Sequence, residues 1–225
     1  MAKKIKFSAL FLGMLSLFLL NGCEKNKVGK PEQPAGPADA STAIPVGKTA
    51  AEYKNRGDDY FTNGQYELAL KFYSKAIEVD PKMAVAFDDR GVVYAKTGDL
   101  DKAIADWGQS LAIDFKNSNA YFNRGLAYYR KKDYDKAIED MNKTIEIAPE
   151  TAQAYNTRAL AYAGKGQMDP AIADFTKAIE LNPKYSQAYY GRGLAYKVKG
   201  DKKKSEQDYK KSLELNPAYA NKPYP

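Results

Sequence analysis

The sequence predicts an all-α solenoid of five helix–turn–helix units, and three observations predict it. Arginine recurs every 34 residues, at Arg56, Arg90, Arg124, Arg158 and Arg192, each with Tyr or Phe three residues before and Tyr four residues after. Proline keeps the same interval at Pro81, Pro149, Pro183 and Pro217, with Phe115 where the missing one would fall. Small residues also recur in register, as Gly57, Gly91, Gly125, Ala159 and Gly193 and as Ala69, Ala103, Ala137 and Ala171. A fixed period of this length marks a repeat array, in which each unit buries its apolar face against its neighbours and the array offers a surface for binding.

Counted from Ala50, the units run 50–83, 84–117, 118–151, 152–185 and 186–219, leaving a tail at 220–225. The first helix of each carries an aromatic at position 4, Arg at 7, a small residue at 8 and Tyr at 11. It ends where Gly64, Gly98, Gly166 and Gly200 hold position 15, since a left-handed residue is cheapest for glycine. Lys132 departs from this pattern and marks the turn least defined by its residues. The second helix opens with an acid at position 18 (Glu67, Asp101, Asp135, Asp169), favourable near a helix N-terminus, and Pro170 falls in a first turn, where its missing N–H does no harm. Two helices of about 13 residues, each about 20 Å long, follow per unit. Gly or Ala at 8 and Ala at 20 let the two helices approach, and aromatics at 4, 11 and 24 fill the space around the crossing.

Written out, Ala120–Tyr129 reads Ala-Tyr-Phe-Asn-Arg-Gly-Leu-Ala-Tyr-Tyr, and Asp135 opens a second helix that runs to Pro149. This resembles the tetratricopeptide repeat (TPR). The resemblance implies a right-handed superhelix whose first helices line a concave side, where positions 2, 5, 9, 12 and 13 commonly reach a partner protein. Those positions give Lys54, Asp58, Asp88, Asn119, Phe122, Leu126, Tyr129, Arg130, Asn156, Leu160, Tyr190 and Leu194 as the candidate partner-binding groove. Aromatic anchors with amides suit an extended or helical segment of another protein. The series Val92, Leu126, Leu160, Leu194 is equally compatible with packing between helices. The Lys/Asn clamp by which some family members hold chaperone C-termini is absent, because Asp58 and Asp89 stand where it needs other residues.

The recurrent arginine faces position 23 of its own hairpin, which is Asp106, Asp140, Asp174 and Asp208 in units two to five. Paired, partly shielded charges are expected, not a ladder for phosphates, because a phosphate-binding stripe carries unbalanced charge. Phe72 replaces the aspartate in the first unit, so Arg56 has no such acceptor.

The N-terminus places the chain. Lys3, Lys4 and Lys6 precede an uncharged run from Phe7 to Leu20, too short to span a bilayer, and Leu-Asn-Gly-Cys23 follows. This resembles the signal peptide and lipobox of bacterial lipoproteins. The resemblance implies cleavage after residue 22, acylation (palmitate among the chains) at Cys23, the sole cysteine, and anchoring in the cell envelope; Glu24 fits sorting to an outer membrane facing the periplasm. Residues 23–49 are rich in Lys, Pro, Gly and Ala and are read as a disordered tether of about 30 Å reach. Gly47-Lys48-Thr49 is no phosphate loop, because Thr42 holds the place of its first glycine.

The chain's net charge of +7 is unevenly spread. Units one to four hold 19 basic against 21 acidic residues, and residues 186–225 hold nine against four. The terminal lysines (Lys202, Lys203, Lys204, Lys210, Lys211) read as a solubilising end cap, with a glycan or polyanion contact as the alternative. Nucleic acid is not an expected partner of an exported chain. There is no histidine, and the one cysteine is committed, so most nucleophile and metal constellations cannot be built. No cofactor, metal or catalytic residue is expected; carboxylate-only hydrolysis would have to use Asp58, Asp59, Asp88 and Asp89. A non-catalytic scaffold for partner proteins is the reading these observations support.

Overall fold

The computed structural model describes residues 49–221. The tether and signal readings lie outside the described residues. Ten α-helices occur among them: α1 (Ala50–Thr62), α2 (Tyr66–Val79), α3 (Ala84–Thr97), α4 (Leu100–Ile113), α5 (Ser118–Arg130), α6 (Tyr134–Ile147), α7 (Ala152–Gly164), α8 (Met168–Leu181), α9 (Ser186–Lys199) and α10 (Lys202–Leu215). A short 3-10 helix, Pro217–Asn221, follows, and no strand occurs among the described residues. The predicted fold class and the 13–14-residue helix lengths are therefore those observed. The chain divides into two compact units, parting between Ala120 and Tyr121 at the start of α5.

Local chemistry sets the helix ends. Thr49 and Glu52 form a reciprocal capping box at α1, each satisfying a backbone N–H of the other. The second helices start one residue earlier than the acid at position 18. Asp99, Asp133 and Asp201, at position 16, are the N-caps of α4, α6 and α10 and accept from the backbone N–H of Lys102, Lys136 and Lys204. All five turns inside the hairpins carry a left-handed residue at position 15, including Lys132 at φ 64°. The turn that its residues defined least thus has the same geometry as the others.

Hairpins close through contacts that only small residues permit. A Cβ on Gly57 would sit 2.6 Å from the Tyr73 ring, and one on Gly125 would meet Met141 at 2.5 Å. Position 8 is where helix meets helix, and position 24 fills the crossing. In the 49–120 unit Tyr53, Phe72, Ala76 and Ala86 make one cluster and Ala69, Tyr73 and Val93 another.

The arginine–aspartate pairs form as expected. Arg90, Arg124, Arg158 and Arg192 each donate through Nε and Nη2 to both oxygens of Asp106, Asp140, Asp174 and Asp208, at 2.7–2.9 Å. The aspartates are buried, and the fork geometry holds both partners in place. Nη1 has a second task. It donates backwards to position 25 of the preceding hairpin, from Arg90 to Ser74, from Arg158 to Asn142 and from Arg192 to Thr176. Lys165 and Lys199 likewise pair with Asp135 and Asp169 one hairpin earlier. Arg56, expected to lack a partner, lies over the Phe72 ring at 5.6 Å, a cation–π contact.

Both ends of the array carry polar residues where inner hairpins carry apolar or small ones. Positions 3 and 10 are Ala86, Ala120, Ala154, Ala188 and Val93, Ala127, Ala161, Ala195, all buried, but in α1 they are Glu52 and Asp59, both exposed. Positions 17 and 21 are Tyr66, Leu100, Tyr134, Met168 and Leu70, Ile104, Ile138, Ile172, but in α10 they are Lys202 and Glu206. Position 25 becomes Lys210, the place at which a following arginine would need an acceptor. Lys202, Glu206 and Lys210 are all exposed on α10.

Candidate functional site

The first helices of the 49–120 unit present a charged cluster. Lys54 Nζ lies 2.8 Å from Asp58 Oδ2 and 3.1 Å from Asp89 Oδ2, joining α1 to α3. The Tyr73 hydroxyl donates to Asp58 Oδ1 at 2.8 Å from α2. Burial opposes the charge on Lys54, but its bonds to the two carboxylates outweigh that and raise its pKa. Burial, then the bond to Asp58, pushes the Tyr73 hydroxyl up. Asp88 has one buried oxygen without a hydrogen-bond partner. Burial and the neighbouring Asp89 push its pKa up to about 6, with Asn117 and the Trp107 indole pulling the other way. Two carboxylates therefore hold one ammonium, with Asp88 beside Asp89, so carboxylates outnumber ammonium groups on a half-exposed face. Asn119, the other candidate in this unit, is exposed.

The remaining candidates lie in the 121–221 unit, and the structure divides them. Phe122 and Leu126 are half-buried and Arg130 is exposed. Tyr129, Asn156, Leu160, Tyr190 and Leu194 are buried, so these five belong to packing and not to an accessible groove wall. Tyr129 packs against Tyr134 with ring centroids 5.8 Å apart. Tyr190 is stacked by Tyr219 at 5.0 Å and flanked by Tyr209 at 6.2 Å. Leu160 and Leu194 answer the open question for the later half of the position-9 series, since both are packing residues, whereas Val92 and Leu126 stay half-exposed. Asn156 Oδ1 is buried without a hydrogen-bond partner.

Sequence reasoning missed two participants. Tyr73 sits on a second helix, outside the positions expected to reach a partner, yet its hydroxyl orients Asp58. Tyr219, in the turn after α10, covers Tyr190. The carboxylates that a hydrolytic reading would need are engaged differently, since Asp58 accepts from Tyr73 and Lys54 and Asp89 is paired with Lys54.

Comparison with known proteins places this arrangement. The tetratricopeptide repeat model matches residues 50–83, 118–150, 152–185 and 186–219, and a second TPR repeat model matches 91–132. Among solved structures, a crystal structure of MamA is 29% identical with a TM-score of 0.69, covering 73% of this chain and 96% of that one. MamA from Desulfovibrio magneticus is 24% identical with a TM-score of 0.72, covering 77% and 98%. YrrB, described as a TPR protein with an unusual peptide-binding site, is 23% identical with a TM-score of 0.68, covering 76% and 88%. Human serine/threonine-protein phosphatase 5 is 39% identical over 62 residues, which is 28% of this chain and only 11% of the phosphatase. Matches to the repeat model over most of the chain, on hairpins closed by small residues and tied by the arginine–aspartate pairs, make it a member of the tetratricopeptide repeat family.

Proposed function

We propose that the chain is a non-catalytic scaffold that binds segments of other proteins on its first-helix faces while held by lipid at Cys23 to a bacterial envelope membrane, where it serves envelope, pilus or cell-wall assembly. The observation that carries the binding half is the pairing of Lys54 with both Asp58 and Asp89, with Asp88 next to Asp89. Its surplus carboxylates lie on a half-exposed first-helix face and suit a segment bearing Lys or Arg. Phe122 and Leu126 offer partly exposed apolar contacts in the other unit. Membership of a family that includes a peptide-binding protein supports the same reading. The anchor is supported by Lys3, Lys4, Lys6, the apolar run and Leu-Asn-Gly-Cys23.

Crosslinking from a photoreactive residue at Asn119, in the anchored protein in its own cell, tests the binding half. A protein adduct is expected, and it should weaken in Asp58→Asn/Asp89→Asn while the helical circular dichroism stays unchanged. Absence of any protein adduct, with polysaccharide captured through the α10 lysines instead, would favour glycan binding. Cys23→Ala tests the anchor: the chain should become soluble or retain its signal, and a processed, detergent-requiring Cys23→Ala product would refute lipidation there.

A further inference from the structure

Exposed apolar side chains are not scattered over the described residues. Of the six large ones, Val79, Ile113 and Ile147 are the last residues of α2, α4 and α6, and Val85 is the second residue of α3. Phe115, 68% exposed, lies in the turn from α4 to α5. Five of the six thus lie at turns between hairpins; only Val198 does not. In antiparallel hairpins the end of a second helix and the start of the next first helix share one edge. Val79, Val85, Ile113 and Phe115 therefore lie along the edge of the 49–120 unit at which Thr49 opens α1, where the segment preceding Thr49 joins the fold.

The same turns each carry a lysine at the tip and an aspartate two residues before it. Lys82 and Lys116 occupy equivalent places, and the Lys116 ammonium lies 5.7 Å from the Phe115 ring centroid. The acids of these turns, Asp80 and Asp114, are engaged as acceptors of the backbone N–H of Lys82 and Lys116 at 2.9 and 3.0 Å. Aromatic and aliphatic groups beside lysines, on the edge that receives the tether, match the boundary of a lipid bilayer. Single apolar side chains on a surface are ordinary; their gathering at the tethered edge is not.

We propose that this edge of the 49–120 unit rests on the lipid surface, with Phe115 entering the boundary between head groups and acyl chains and Lys82 and Lys116 facing lipid phosphates. The proposal rests on the lipid-anchor reading of Cys23. A patch this small would hold a free protein weakly, but a tether raises its effective concentration at the membrane, so weak contact suffices. The unit then stands on its inter-hairpin turns, with the Gly64 and Gly98 turns towards water and the Lys54 cluster accessible from the side.

The test uses the full chain with Phe115→Trp, purified with its lipid and reconstituted into phosphatidylethanolamine–phosphatidylglycerol vesicles whose acyl chains are brominated near the head groups. Trp107, the only native tryptophan, is buried and supplies an unquenched baseline. The introduced indole is expected to lose most of its added emission in brominated vesicles and to regain it when Lys82→Glu/Lys116→Glu is added. An indole placed at the opposite edge by Asn63→Trp should keep its emission. Equal emission from the Phe115→Trp chain in brominated and plain vesicles, while it still sediments with both, overturns the membrane contact and leaves the anchor standing. Capture of a protein by a crosslinker at position 115 also overturns it, in favour of a protein partner. Failure of the chain to sediment with vesicles refutes the anchor at Cys23, and the membrane contact falls with it.

Discussion

At the scale of single residues, Lys132 carries the clearest cost. It holds at φ 64° the place that glycine holds in the other four hairpins, and a side chain in that region is disfavoured by about 1–2 kcal/mol. Lys132→Gly should therefore stabilise the fold by about 1 kcal/mol, after glycine's larger chain entropy is subtracted, and should raise the urea midpoint without changing its slope. Asp88 makes a prediction in pH. Its carboxyl titrates near 3.8 when unfolded and at about 6 in the fold, because it is buried beside Asp89. The folded state thus keeps a proton that the unfolded state has lost, and this contribution to stability, full below pH 3.8, disappears as pH rises through 6. Asp88→Asn should flatten that decline when urea midpoints are compared at pH 4 and 7.5; an unchanged slope would show that Asp88 is not responsible. Residue depth was the least legible property in the sequence. Phe122 and Tyr190 share position 5, and the period gives both the same register, but Tyr190 is covered by Tyr219, which lies beyond the repeating helix pair. Asp106, Asp140, Asp174 and Asp208 were easier to place, because an arginine at a fixed spacing reveals a buried charge.

Whole elements were more legible than their caps. Periodic small and aromatic residues located each helix to within a residue or two, since the close approaches at Gly57 and Gly125 leave no other register. The caps needed local geometry: position 16, one residue before each second helix, supplies the hydrogen-bonding aspartate in three hairpins. The last helix, α10, shows how an element can end an array. Its outer positions carry Lys202, Glu206 and Lys210 where α2, α4, α6 and α8 carry apolar or small polar residues. Lys202→Leu/Glu206→Ile/Lys210→Thr restores the inner pattern and creates an uncovered apolar face. The triple variant should show a higher apparent mass in light scattering than the parent at the same concentration, with helical content unchanged. An unaltered mass would mean that these charges are incidental to where the stack stops.

At the scale of the molecule, the fold lay open in the sequence because one rule repeats five times, whereas function did not, because partner recognition depends on the residues that vary between repeats. The charged cluster in the 49–120 unit illustrates this: Lys54, Asp58, Asp88 and Asp89 have no equivalent set in the later hairpins. Handling of the protein is affected by its last few residues. Tyr219 is only 3% exposed and acts as the lid over Tyr190, so the folded body does not stop at the final α-helix. A purification handle or fluorescent reporter spliced directly after Asn216 would strip that lid and bare an aromatic surface, giving stickiness easily mistaken for genuine binding; appended beyond Pro225, the same fusion leaves the lid in place.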